Sequence, residues 1–389
     1  MRVLLVTDWT TEEGGIETYL KLVTSGLRAT GDEVALLTST AGPGHHADYR
    51  AFGTERRSAQ TLLQIANPFA ARDLRRAVAD FRPDAVLVSM FEILLSPAIF
   101  AALRGVRTVL NIAYYKPVCP TGHKLLPDGT RCQVRAGLPC LRNRCLSPPR
   151  WLREQPRYAL IRAAIESADA VVTCSRFMRT ELAREGIAAS WLPWPIDPPS
   201  PGFARVPASE PLFLFTGRLS GEKGVDVLLR AFGLLRAREI MATLRIVGDG
   251  PERPWLEALA RSLGLEATVQ FIGSVPREQI EAELVAPWAL VAPSIWAEPL
   301  GLTALEAIVR GVPVVASAVG GFAETVQPGV SGLLFPNGDE HALAERLAEL
   351  ASGDLFPDRR VRPGSSEAAL VVHDLGLHTA RLRELLQAP

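Results

Sequence analysis

R-V-L-L-V-T-D-W-T-T-E-E-G-G-I-E-T-Y-L-K-L-V-T-S-G-L-R-A-T-G-D-E-V-A-L-L-T, residues Arg2 to Thr38, spells out one strand, one helix and a second strand. Arg2 to Thr7 is a short apolar run of the kind a strand buried on both faces requires. From Ile16 the period changes, placing Ile16, Tyr19, Leu20, Val23 and Leu27 on one helical face, and Gly31 closes the helix. Glu33 to Thr38 then repeats the apolar run, giving a β-α-β unit.

The same alternation continues outward from this unit. Ala85 to Ser89, Thr108 to Ile112 and Ala170 to Cys174 read as further strands, separated by segments of helical period. The stretch from Pro193 to Pro201 (P-W-P-I-D-P-P-S-P) fits neither a helix nor a central strand and reads as a linker. Beyond it the pattern restarts, with strands at Leu212 to Phe215, Thr243 to Val247, Val269 to Ile272, Ala289 to Ala292 and Val312 to Ala316. The expected fold class is therefore α/β, with two doubly wound Rossmann-like domains at residues 1–195 and 196–375 facing each other across a cleft. Ala380 to Leu386 reads as part of a terminal helix over 376–389 that packs back on the first domain.

Composition narrows the function. The 389 residues are 48% hydrophobic and 22% charged, enough apolar surface for two packed cores. Forty-two basic residues balance 42 acidic ones, which speaks against a nucleic-acid partner. The first apolar run meets Asp8 too early for a signal peptide, and no other run reaches the roughly 18 residues of a membrane span. The expectation is a cytoplasmic protein with at most peripheral contact with a membrane; Arg72, Arg75 and Arg76 beside Phe69 are a basic face that a solvated helix explains equally.

Three motifs carry chemistry. Trp9 to Glu17 follows the first strand and opens the first helix, and Gly14 and Gly15 let backbone approach an anion there; an eased turn is the plain alternative. In Phe213 to Gly224 (F-L-F-T-G-R-L-S-G-E-K-G) a strand ends and presents Arg218 and Lys223, two cations suited to a diphosphate leaving group or simply to a solvated loop. Ser294 to Glu306 (S-I-W-A-E-P-L-G-L-T-A-L-E) puts Glu298 on a loop before Pro299 and Glu306 about one turn into a helix. The amides near Leu300, Gly301 and Leu302 then point outward to hold phosphate oxygens; carboxylates that merely balance the helix dipole are the plain alternative, which explains the charge but not the Pro-Leu-Gly turn.

Gly14-Gly15-Ile16-Glu17, Gly217-Arg218 with Lys223-Gly224, and the E-x7-E pair Glu298 and Glu306 together resemble the retaining glycosyltransferases of family 4, with the GT-B fold, over nearly the whole chain. The resemblance implies a nucleotide-sugar donor, with UDP favoured over GDP, held by Arg218 and Lys223 on the diphosphate and Glu306 on the ribose. It implies that Glu298 reaches the transferred sugar, that Gly15 approaches the diphosphate, and that Gly273 to Val275 lie beside the base. No metal takes part in that chemistry, and the acceptor is a glycan, a lipid-linked sugar or a small molecule shaped by residues 40–60 and 113–150. The chain departs from the pattern at Ala113, where relatives often carry a histidine; Tyr114, Tyr115, Lys116 and Glu92 are the candidates to replace it. His45 and His46 read as surface residues.

Cys119, Cys132, Cys140 and Cys145 fall in one glycine- and proline-rich loop, and four thiolates at such spacing are a candidate structural zinc site, with reduced thiols as the alternative. Cys174, on a strand, reads as a small core residue. Two other functions share the fold: a sugar-nucleotide 2-epimerase and a non-catalytic donor-binding subunit.

Overall fold

The computed structural model describes residues 1–9, 14–42 and 47–388, so His45 and His46 and the middle of the first glycine motif lie outside the described residues. The chain divides into two compact units, Met1–Pro195 with His373–Pro389, and Ile196–Val372.

The first unit is built on a wholly parallel sheet of seven strands: β1 (Arg2–Val6), β2 (Glu33–Ser39), β3 (Tyr49–Ala51), β4 (Ala85–Val88), β5 (Arg107–Asn111), β6 (Ala170–Thr173) and β7 (Ser190–Trp191). Their order is β3-β2-β1-β4-β5-β6-β7. The register of β1 on β2 runs from Arg2 opposite Glu33 to Val6 opposite Leu37, so the crossover helix Gly15–Ala29 returns the chain one strand outward. That helix buries Tyr19, Leu20, Val23 and Leu27, four of the five residues its periodicity placed on one face; Ile16 is only half-buried.

The terminal helix runs over Leu375–Gln387, five residues earlier than its apolar pattern suggests, because Asp374 caps it by accepting the Leu377 N–H at 2.7 Å. It belongs to the first unit and packs on the Gly15–Ala29 helix. Arg383 reaches Asp32 at 2.9 Å, and Asp32 also holds the terminal amine at 2.8 Å. Tyr19 stacks on Trp194 with ring centroids 4.4 Å apart, and His378 meets Tyr19 edge-on.

The second unit repeats the design with six parallel strands: β8 (Leu212–Thr216), β9 (Thr243–Val247), β10 (Val269–Gly273), β11 (Ala289–Ala292), β12 (Val314–Ser317) and β13 (Gly332–Phe335), in the order β10-β9-β8-β11-β12-β13. β12 starts at Val314 rather than Val312, since Pro313 has no N–H to give a ladder. One face of this sheet packs Phe213, Leu244, Ile246, Phe232 and Leu347 together; the other packs Leu214, Leu290, Ala304, Ile308 and Phe322. In both sheets the strand order reverses beside the first strand of the unit, between β1 and β4 and between β8 and β11. A parallel sheet offers its ligand crevice outside the carboxyl ends of strands at such a reversal.

Candidate active site in the second unit

The loops after β8 and β11 flank that reversal and are fastened to each other. Gly224 takes φ +65°, and a Cβ there would stand 2.2 Å from the Pro293 carbonyl oxygen, so the position requires glycine. The Ile295 N–H donates to the Glu222 carbonyl at 2.9 Å across the same seam. This contact delivers Lys223 to Glu298: the ammonium lies 2.6 Å from Glu298 Oε1, which also accepts from Ser294 Oγ at 2.9 Å. Lys223 Nζ further sits 5.5 Å from the centroid of the Trp296 ring. Arg218, just beyond the carboxyl end of β8, is exposed, and among the described residues its guanidinium has no hydrogen-bond or ion-pair partner.

Glu298 is anchored from a third strand. The loop after β12 brings Gly321, whose N–H donates to the Glu298 carbonyl at 2.7 Å. Gly320 and Gly321 escaped the sequence reading, although a glycine pair at a strand's carboxyl end is the same signal that drew notice to Gly14 and Gly15.

The helix Leu302–Val309 begins at Gly301, with φ +81°, no side-chain cap and no acidic residue in its first turn. Its first amides therefore retain the partial positive charge that attracts an anion. Leu300 and Gly301 are buried and Leu302 half-buried, so what this turn offers a ligand is backbone. Glu306, one turn in, is buried and ion-paired with Arg277, a residue the sequence reading missed because its loop (Val275-Pro276-Arg277) carries no periodic signal. Val275 in that loop packs its side chain on the core below.

In the first unit, Gly14 is the N-cap of the Gly15–Ala29 helix at φ +143°, again with no side-chain cap. Ala113 is buried, and of the four replacement candidates Tyr114 and Glu92 are bonded to each other. Tyr114 donates its hydroxyl to Glu92 Oε2 at 2.6 Å, Lys116 donates to the Pro120 carbonyl at 2.8 Å, and Tyr115 is fully buried. Burial, then the negative charge of Asp8, pushes the Glu92 carboxyl up to about 7. Asp8 itself accepts the amides of Ile93, Leu94 and Leu95, each at 2.8 Å.

The zinc expectation gains no support. Among the described residues no three or more His, Cys, Asp or Glu side chains are placed to hold a metal ion. The thiols turn instead to local oxygens: Cys119 to the Thr121 hydroxyl, Cys132 to the Val134 carbonyl and Cys145 to the Asn143 carbonyl. Burial raises the Cys140 and Cys145 pKa values, with the neighbouring thiols adding to it. None of the five cysteines is in a disulfide among the described residues, and Cys174, expected on a strand, is buried one residue beyond the end of β6.

With this geometry in hand, comparison with known proteins is direct. The sequence profile described as "Glycosyl transferases group 1" matches residues 202–366, and the one described as "Glycosyl transferase 4-like domain" matches 14–191. The chain belongs to the family 4 glycosyltransferases.

Among characterised relatives, this glycosyltransferase is 32% identical over 213 residues to a glycogen synthase of Mycobacterium tuberculosis, covering 51% of this chain and 49% of that one. It is 38% identical over 163 residues to a D-inositol 3-phosphate glycosyltransferase of Corynebacterium urealyticum, covering 40% of this chain and 38% of that protein. The glycosyltransferase thus aligns with half or less of these relatives' length. Its fold is that of the sucrose-phosphate synthase of Thermosynechococcus elongatus, with TM-score 0.76 at 22% identity over all of both chains. Anabaena HepE, solved in complex with UDP, superposes with TM-score 0.72 at 18% identity, again over all of both chains. The shared GT-B fold confirms two Rossmann-like α/β domains. No helix among the described residues is long and apolar enough to cross a membrane. Phe69 is exposed, while Arg72 and Arg76 approach Asp73 at 3.1 and 3.9 Å.

Proposed function

We propose that the chain transfers a hexose-type sugar from a UDP-sugar to a glycan, lipid-linked or small-molecule acceptor, with retention of anomeric configuration and without a metal. The observation that carries this reading is the Lys223–Glu298 pair, set beside an uncapped helix start and the exposed Arg218 at the carboxyl ends of β8 and β11.

The chemistry follows from what the donor would displace. A diphosphate offers Lys223 a doubly charged partner in place of Glu298, and Arg218 and the amides from Gly301 onward add further charge as the leaving group's own charge grows. Glu298, released from the ammonium, then accepts hydrogen bonds from sugar hydroxyls, while Glu306 takes the ribose. Gly15 offers backbone to the diphosphate, and Val275 lies beside the base. Attack comes from the face the diphosphate leaves: the acceptor hydroxyl's proton passes to the departing phosphate oxygen as the new glycosidic bond forms and the old one breaks.

Support for UDP comes from the UDP complex of HepE, and support for an acceptor range comes from relatives named for glycogen and for D-inositol 3-phosphate. The test is a screen of nucleotide sugars against pooled acceptors, read by mass spectrometry alongside thermal melting with UDP and GDP. Transfer from a UDP-sugar supports the reading. Stabilisation by UDP with no turnover of any donor points to a binding subunit, and a sugar nucleotide epimerised without acceptor points to an epimerase.

A further inference from the structure

We infer that Arg277 is a positioning residue for the donor's ribose: it anchors one oxygen of Glu306 and leaves the other turned to the ribose hydroxyls, so that binding strength depends on the pair and not on Glu306 alone. The inference rests on the assignment of Glu306 to the ribose given above.

Glu306 has a side chain only 8% exposed, and a carboxylate so buried is costly without a charge partner. Two arginines stand close enough. Arg310 is spent elsewhere: its Nε donates to Glu281 at 2.7 Å, and toward Glu306 it reaches only the backbone carbonyl, at 3.3 Å. Among the described residues Arg277 alone meets the carboxylate, through Nη2 on Oε1. No described residue donates to Glu306 Oε2. The carboxylate therefore has one oxygen fixed and one open, which is what a pair of vicinal hydroxyls needs from an acceptor.

Arg277 also differs from a purely structural partner. Its side chain is 36% exposed, and its Nε and Nη1 make no hydrogen bond to any described residue, so donors remain on the guanidinium after Glu306 has taken one. It lies two residues beyond Val275, on the short 3-10 turn Arg277–Gln279 that follows β10. The ribose acceptor is thus held by the same loop that lies beside the proposed base position.

The experiment is calorimetric titration of UDP and of 2′,3′-dideoxyUDP into the full chain and into Arg277→Ala, Arg277→Lys, Glu306→Gln and the Arg277→Ala/Glu306→Gln double variant, with thermal melting of each. Arg277→Ala is expected to weaken UDP about tenfold, the loss typical of one charged hydrogen bond, and to leave the dideoxy ligand unchanged. Arg277→Lys should recover part of the loss, since lysine keeps the charge but not the planar fork. The double variant should bind UDP no more weakly than Glu306→Gln, and donor KM should rise in Arg277→Ala with kcat little altered. Equal weakening of both ligands would overturn the inference by placing Arg277 on the base or the phosphates. Unchanged UDP affinity in Arg277→Ala alongside a loss in Glu306→Gln would overturn it while leaving the ribose assignment standing. If Glu306→Gln itself binds UDP normally, the ribose assignment falls and the inference with it. Should Arg277→Ala fail to fold, Arg277→Lys carries the same comparison of the two ligands.

Discussion

Lys223 and Glu298 stand 75 residues apart in sequence and 2.6 Å apart in space, each the other's charge partner. A pair that tight, with side chains 24% and 12% exposed, is a counter-ion arrangement that a diphosphate can exchange into. Replacing Lys223 by alanine is expected to lower kcat by about 10²- to 10³-fold, the scale seen when one donor to a developing anion is lost, and to weaken donor binding by less. Comparing single-turnover rates with donor Kd checks the split. A variant with wild-type kcat would remove Lys223 from the site.

Arg218 presents the opposite case, a cation with no hydrogen-bond or ion-pair partner among the described residues. Its removal breaks no such bond there, so Arg218→Ala should melt at the wild-type temperature while binding UDP about tenfold more weakly, as expected for one lost charge-assisted bond. Titration and melting on the same preparation separate the two effects. A fall in melting temperature with unchanged UDP affinity would show a structural residue instead.

Gly301 and Gly105 share φ +81° but not their surroundings: a Cβ at Gly301 would lie 2.5 Å from the Phe322 ring, whereas nothing stands within 4 Å of one at Gly105. Alanine at Gly105 should cost only the backbone strain, about 1 kcal/mol. At Gly301 the ring must also move, so the loss should exceed that of the control by at least about 1 kcal/mol. Because Gly301 starts the Leu302–Val309 helix, Gly301→Ala should also weaken UDP, and Gly105→Ala should not. Denaturant melts and UDP titrations of the two variants test both halves; equal losses would mean the ring contact is dispensable.

The sheets were legible because strands buried on both faces leave unbroken apolar runs: Thr243–Val247 and Ala289–Ala292 end where the runs end. β3 and β7 left no such signal, being edge strands of three and two residues. β13, four residues after a glycine turn, also passed unread. In the candidate site the motifs marked Lys223 and Glu298 separately, but nothing in either motif announces that Gly224 against Pro293 brings them together. Arg277 and the Asp8 cluster were beyond reach for the same reason. The partners of Asp8 lie 85 to 87 residues away and are backbone amides, which carry no residue identity for a pattern to detect.

Two buried groups in the first unit should oppose each other as pH changes. Burial and the nearby Asp8 raise the Glu92 carboxyl from an ordinary value near 4.5 to about 7, so from pH 4.5 to 7 the folded chain holds a proton that the unfolded chain has lost, and stability falls as pH rises. Burial lowers His378 from near 6.5 to about 4, so from pH 6.5 down to 4 the unfolded chain gains a proton that the folded chain refuses, and stability rises with pH. Each shift corresponds to an order of about 3 kcal/mol, and between pH 4.5 and 6.5 the two slopes largely cancel. Glu92→Gln keeps an oxygen to accept from Tyr114 and removes one slope, so its stability should climb from pH 4 to 6.5 and exceed the wild type above pH 7. His378→Asn keeps a donor for the Pro193 carbonyl, which His378 Nδ1 now meets at 2.6 Å, and should expose the reverse slope, a decline from pH 4.5 to 7. Urea titrations at half-unit pH steps read both curves. If Glu92→Gln ran parallel to the wild type across the whole range, the buried carboxyl would have to titrate at its ordinary value, which its complete burial and the lack of any partner for Glu92 Oε1 among the described residues argue against.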